Sequence, residues 1–216
     1  MSQISAKRSI LSYARVQAVI SPIVRGRELF MNKKRMKDKV LLNVGCGPVP
    51  KDHFINLDYF WCPEIDVCWD ITAKKYPFPD NSLEGVYTEH CLEHIPYEKC
   101  FENLKEFHRI LKPGGTLRII VPDAEIYLNA YQAKKTDEKV RLPYDENEET
   151  PIISINRIFR GHGHLFIYDF QTLQMNLSKI GFRNITKEAH GKGRDPRLLI
   201  DRADRAVESL YVEATK

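Results

Sequence analysis

The stretch Lys39-Val40-Leu41-Leu42-Asn43-Val44-Gly45-Cys46-Gly47-Pro48 decides the fold. An unbroken apolar run closed by a glycine turn reads as a strand buried on both faces, as in a parallel sheet. Two further runs each end in an acid: Phe54-Ile55-Asn56-Leu57-Asp58 and Ile65-Asp66-Val67-Cys68-Trp69-Asp70. Tyr76-Pro77-Phe78-Pro79-Asp80-Asn81-Ser82 is turn chemistry. Gly85–Thr88 is a fourth strand leading into Glu89 and His90. Across 97–111, Phe101, Leu104, Phe107, Ile110 and Leu111 recur at steps of three and four, the pattern of an amphipathic helix. Lys112-Pro113-Gly114-Gly115 stops that helix, and 116–121 is a fifth strand. Strand, helix and strand in this order predict an α/β fold with a parallel sheet.

Toward the C-terminus, 169–180 reads as a helix capped by Asp169 and closed by Gly181. Two closing strands fit 182–189 and 209–214. Residues 132–160 are polar and proline-interrupted, with the acidic run Asp145-Glu146-Asn147-Glu148-Glu149. So long an irregular connection is expected to be a lid, a substrate loop or a tether. Toward the N-terminus, 4–20 mixes apolar and basic residues at helical spacing. Ser21-Pro22 is expected to break it, and a second short helix fits 23–34. The domain reading is a basic helical extension, 1–39, followed by one domain, 40–216.

Composition bounds the function. The chain has 216 residues, 43% hydrophobic and 29% charged, with a formal net charge of +4. These values exclude a disordered chain, a collagen-like fibre and a disulfide scaffold. The charge is uneven: residues 1–39 carry ten Lys or Arg against Glu28 and Asp38, a local +8, and the remainder carries −4. A basic arm of this kind can serve as a solvated extension or touch an anionic surface. The five cysteines are odd in number and contain no CxxC pair, so neither a disulfide framework nor a zinc site is indicated. No run of about 18 uncharged apolar residues reads as a membrane span. Neither does the N-terminus read as a secretory signal. The expected setting is cytoplasmic.

Glycines and acids gathered at strand ends mark where open α/β sheets bind ligands. Gly45-Cys46-Gly47 is not a dinucleotide fingerprint, because position 50 is proline, and no Lys-Ser/Thr follows to make a phosphate-cradling loop. Asp58 can accept both hydroxyls of a ribose, and Asp70 can accept from an exocyclic amine. Together they suit an adenosine whose other end carries an amino acid instead of phosphates.

The ordered series Leu42–Gly47, Asn56–Asp58, Asp70-Ile71, Phe78–Ser82, Thr88–His94 and Arg109–Gly115 resembles the class I S-adenosylmethionine-dependent methyltransferases, over about residues 40–213. Gly163–Asp169 with Leu173 and Gly181-Phe182 is similar to a small bacterial subgroup found with polysaccharide and specialised-metabolite genes. The resemblance implies a Rossmann-like, doubly wound, mostly parallel seven-stranded sheet. It implies S-adenosylmethionine as cofactor, with Asn43, Gly45, Cys46 and Gly47 near its methionine part. Asp58 would hold the ribose, and Leu57 or Tyr59 would flank the adenine. Asp70 and Ile71 would face that ring, while Glu89 and His90 would close the site below the sulfonium. Two departures stand out. Asn43 occupies a position where the family commonly has an acid, and the crossover at 48–53 is too short for the usual first helix.

The expected activity is methyl transfer to a small-molecule acceptor, foremost a hydroxyl of a sugar, glycan precursor or specialised metabolite. An amine acceptor is the alternative. A hydroxyl needs a general base, and histidine is suited to that work near neutral pH. His164 is the first candidate, followed by His90 and His162, with Tyr168 orienting the acceptor. No metal is expected. His90-x-x-Glu93-His94 imitates an inverted zinc-protease motif, but that motif requires a helix and a third ligand at depth. A non-catalytic membrane-surface or nucleic-acid binder on the same fold is the third reading. The arm has only Tyr13 and Phe30 as aromatics, too few for a base-stacking surface, so nucleic acid is not an expected partner.

Overall fold

The computed structural model describes residues 15–73, 75–137, 139–144 and 150–216. The expected helical residues 4–14 and the acidic run 145–149 lie outside them. The chain divides into two compact units, Met1–Phe78 and Pro79–Lys216.

The first unit begins with helix α1, residues 15–24, and the short helix α2, Lys33–Met36. Strands β1 (Leu41–Val44), β2 (Ile55–Asp58) and β3 (Val67–Cys68) follow. They pair in parallel, with Leu42 opposite Ile55 and Leu57 opposite Val67. All four β1 residues are buried, as an apolar run without alternation requires. No helix separates β1 from β2, in agreement with the short crossover. Asn56 closes that gap instead. Its side chain accepts from the Lys51 amide at 2.9 Å and donates to the Lys51 carbonyl at 2.9 Å.

Two N-terminal expectations are corrected. Helix α1 continues through Ser21-Pro22 to residue 24. A proline in the last turn removes a single ladder bond, and the continuation buries Val24 against Cys46, Cys62, Ile65 and Cys68. Between 23 and 34 there is a 3-10 turn, Glu28–Phe30, and no continuous second helix. Three cations of the arm have partners within the unit. Arg35 and Lys39 lie 3.5 and 3.7 Å from the buried Asp66 carboxylate. Arg25 donates to the Tyr59 carbonyl at 2.8 Å.

The second unit contains β4 (Leu83–Glu89), helix α3 (Tyr97–Ile110), β5 (Leu111–Pro122), α4 (Ala124–Lys134), α5 (Pro151–Arg160), α6 (Phe170–Ile180), β6 (Arg183–Glu188) and β7 (Ser209–Thr215). Strands β4 and β5 are parallel; β7 is antiparallel to both β5 and β6. The seven strands are ordered β3-β2-β1 in the first unit and β4-β5-β7-β6 in the second. This is the mostly parallel, seven-stranded, Rossmann-like sheet that the sequence predicts. Helix α5 corrects the expectation of an irregular 132–160. Pro151 sits in its first turn, where proline is favoured, and Ser154 and Ile158 are buried along one face.

A buried ion network fixes the C-terminal segment to the sheet. Arg118 on β5 is fully buried and stands opposite Glu213 on β7. It donates to Glu213 at 2.8 Å, to both oxygens of Asp201, and to the Lys192 carbonyl at 2.9 Å. Gly191 and Arg194 donate backbone amides to the same two carboxylates. Removing one member leaves buried charges uncompensated. Arg118→Met is therefore expected to lower unfolding stability by about 3–5 kcal/mol, read as the shift of a urea denaturation curve.

Candidate functional site

In the first unit the site is built on the turn after β1. Gly45 and Gly47 have φ of +69° and +55°, the left-handed region that favours glycine. The amides of Gly45 and Cys46 both donate to the Leu57 carbonyl, at 2.9 and 3.1 Å. The Gly47 amide donates to Asp58 Oδ2 at 2.8 Å, and the Phe60 amide donates to Oδ1 at 2.9 Å. Asp58 thus braces the glycine turn while each oxygen keeps a further lone pair to accept from a ligand. A Cβ placed on Gly47 would meet no atom within 4 Å, so the space above the turn is open.

The other expected cofactor residues separate into exposed and buried groups. Tyr59 is 44% exposed, whereas Leu57 is 1% exposed and belongs to the core, so Tyr59 is the one placed to offer a ring face. The Arg25 guanidinium lies 3.4 Å from the centroid of that ring, a cation–π contact that the sequence did not suggest. Asn43 is buried and donates to Asn56 at 3.3 Å. Asp70 accepts from the Thr72 amide and hydroxyl at 2.9 and 2.7 Å, and Ile71 beside it is partly buried. Burial, reinforced by the Asp58 charge, pushes the Cys46 thiol far above its ordinary value. Burial likewise raises Cys68 to about 11.

In the second unit, β4 delivers Glu89 and His90, and a 3-10 turn carries Leu92–His94. Glu89 accepts from the Arg202 amide at 2.9 Å. His90 has φ of +47° and His162 of +57°, conformations uncommon outside glycine and found at sites held by their surroundings. His90 Nε2 is 2.9 Å from Ser209 Oγ. The Ser209 hydroxyl spends its one proton on the Arg205 carbonyl at 2.8 Å, so its oxygen accepts from His90. His90 Nδ1 then faces the buried Glu93 carboxylate at 3.3 Å.

The Glu93 carbonyl accepts from Leu165 and Phe166 amides at 2.7 and 3.2 Å, which draws the 161–166 segment onto the histidine turn. As a result the His164 ring lies 4.9 Å from His94 and 5.7 Å from His162. His164 Nδ1 donates to the Ile158 carbonyl at 2.7 Å. A carbonyl can only accept, so Nδ1 carries the proton and Nε2 presents a lone pair. Tyr168 has a different position. It is fully buried, packs 4.8 Å from the Phe166 ring, and burial raises its phenol far above the ordinary value. This placement suits packing better than contact with an acceptor. Sequence reasoning did not assign Glu93, Ser209 or Arg25 a place in the site. Only the spacing around Glu93 carried a signal.

Comparison with known proteins agrees with this architecture. A family model described as a methyltransferase domain matches residues 62–119. The ubiquinone/menaquinone biosynthesis C-methyltransferase UbiE of Neisseria gonorrhoeae is 44% identical over 48 residues, which make up 22% of this chain and 19% of that enzyme. The match therefore spans about a fifth of the curated relative's length. A SAM-dependent methyltransferase from Archaeoglobus fulgidus superposes with a TM-score of 0.53 at 18% identity, covering 95% of this chain and 93% of that one. Phosphoethanolamine N-methyltransferase 2 of Haemonchus contortus, solved with S-adenosyl-L-methionine, gives 0.50 at 15% identity over 87% of this chain and 51% of that one. At these identities the two structures establish the fold. Among the described residues, no helix is long and apolar enough to cross a membrane.

The raised Cys46 pKa has a direct readout. The thiolate is the reactive form, so a thiol held protonated above its ordinary value resists alkylation. Native protein treated with iodoacetamide at about pH 8.5, the ordinary thiol pKa, is expected to leave Cys46 unlabelled, and urea-unfolded protein to label it. Peptide mass spectrometry checks both states.

Proposed function

We propose that this chain, whose fold is that of solved SAM-dependent methyltransferases and whose residues 62–119 match a methyltransferase domain, uses S-adenosylmethionine to methylate a hydroxyl of a small molecule. The acceptor class is a sugar, a glycan precursor or a specialised metabolite. When bound, S-adenosylmethionine supplies an electrophilic methyl group on a sulfonium. The first unit has the features that such a ligand needs. They are an open glycine turn, Asp58 with lone pairs to spare for a ribose, and the exposed Tyr59 ring. Asp70, two residues beyond the end of β3, is the residue this reading assigns to the adenine edge.

The choice of a hydroxyl rests on one observation, the fixed tautomer of His164. The Ile158 carbonyl holds the proton on Nδ1 and orients the ring. Nε2 is left as a proton acceptor, and it takes the hydroxyl proton as the acceptor oxygen becomes a nucleophile. Holding donor and acceptor together supplies most of the remaining rate, because effective molarity in a well-oriented site is large. His162, exposed beside His164, and His90, anchored on Ser209, line the same cluster and position the acceptor.

Two variants test separate halves of this reading. Asp58→Ala is expected to abolish binding of S-adenosylhomocysteine in titration calorimetry, with unchanged circular dichroism; intact binding would remove the ribose assignment. His164→Ala is expected to retain cofactor binding and lose about 10²–10⁴-fold in turnover, the usual worth of a general base. Full turnover in that variant would point to an amine acceptor, which needs no strong base.

A further inference from the structure

Glu93, His94 and His164 form a cluster in the second unit, of which the proposed methyl transfer uses His164 alone. The Glu93 carboxylate is fully buried, and neither of its oxygens has a hydrogen-bond partner. Buried carboxylates are stable only when paired or bound to a metal. Two ring nitrogens face it: His90 Nδ1 at 3.3 Å and His94 Nε2 at 3.8 Å, both measured to Oε1. One ligand atom from each of Glu93, His94 and His164 lies within 4.8 Å of the other two.

The surroundings hold these groups in place. The Glu93 carbonyl accepts two amides from 165–166, so the turn bearing Glu93 and His94 is tied to the segment bearing His164. The bond from His164 Nδ1 to the Ile158 carbonyl is the outer-shell contact that metal-ligating histidines almost always make. It fixes the tautomer that a ligand needs, with Nε2 free. Sequence reading dismissed the spacing His90-x-x-Glu93-His94 because it lacked a helix and a third ligand. The turn is indeed 3-10 and not α-helical, but His164 supplies the third ligand.

We propose that Glu93, His94 and His164 bind a divalent transition-metal ion of the zinc class. Two imidazole nitrogens and one carboxylate suit zinc, cobalt or nickel, whereas magnesium and calcium take all-oxygen sets. Three protein ligands leave a fourth position open, the pattern of catalytic zinc sites. Metal–ligand distances of about 2.0–2.2 Å require the three groups to draw together slightly. His94 is 40% exposed at its side chain and can make that adjustment. The binding claim does not depend on the proposed methyl transfer; only its consequence does. With the ion in place, the His164 lone pair is committed to it, and the ion replaces His164 as the group that activates the acceptor hydroxyl. An acceptor hydroxyl at the open position would then lose its proton to solvent more readily, as metal-bound water does.

The test is cobalt(II) titration of the full chain after treatment with a chelator. One Co²⁺ per chain is expected, with visible d–d absorption that Zn²⁺ abolishes by displacement. His94→Ala and His164→Ala are each expected to weaken binding by at least about tenfold, the scale set by loss of even an outer-shell partner. His53→Ala, outside the cluster, is expected to bind as the unmodified chain does. Circular dichroism on each variant establishes that it is folded. No visible band, or a band that survives both His94→Ala and His164→Ala, overturns the proposal. Binding of S-adenosylhomocysteine, measured on the same preparations, separates the two readings. Its retention without metal binding removes the metal site alone, and metal binding without it removes the methyltransferase site alone.

Discussion

The second unit depends on one buried charge. Arg118 lies in the middle of β5 with no exposure to water, and it persists there because Glu213 and Asp201 meet it from two directions. Glu213 comes from the antiparallel partner strand in direct register, so this half of the network is set by sheet pairing. Asp201 comes from the irregular segment between β6 and β7, so the other half recruits a loop onto the sheet. Gly193 reveals how close that loop approaches: a Cβ there would collide with a Glu213 oxygen. Arg202, the residue after Asp201, donates its backbone amide to Glu89 at the tip of β4. The histidine turn begins immediately after Glu89. A desolvated ion network thus sets the position of the strand tip from which the proposed chemistry proceeds.

The first unit is held by side chains standing in for missing backbone structure. A parallel pair normally has a helix in its crossover, and β1–β2 has none. Asn56 binds the connection from inside, and Asp58 binds the glycine turn from its end. Both residues are therefore structural before any ligand arrives. Asp58 in particular joins the two roles, since the carboxylate expected to meet a ribose already fixes the turn above which the ligand would lie.

The regular elements were legible because they obey local rules. The β1 run, the α3 stripe, and Asp169 and Gly181 at the ends of α6 all follow from burial pattern and capping, and each appears where predicted. Helix α5 was hidden by its setting. Pro151 and the acidic run ahead of it look like loop chemistry, although proline is favoured in a first helical turn. The site was legible as single residues and not as a set of contacts. His164 was selected by the segment around it, but its proximity to Glu93 depends on two backbone hydrogen bonds between residues 72 and 73 positions apart in the chain, which no periodicity reports. The +8 of residues 1–39 was visible, and its use was not. Arg25, Arg35 and Lys39 have partners dictated by tertiary packing alone.

Those last contacts bear on where the protein can be cut. By sequence pattern, the resemblance to methyltransferases begins near residue 40, and a cut there would discard everything before it. Asp66 draws on residues before that point. Its carboxylate is buried at 1% exposure, and the cations facing it, Arg35 and Lys39, both lie on the discarded side. Val24 and Ser21 would also be lost from the cluster around Cys46 and from the bond to the Trp61 amide. A fragment starting at residue 40 would keep every recognisable motif and yet carry an unneutralised charge and an uncovered apolar face beneath its glycine turn. The stretch that keeps these contacts is longer than the recognisable one, and its N-terminal edge is marked by ion pairs and packing instead of resemblance.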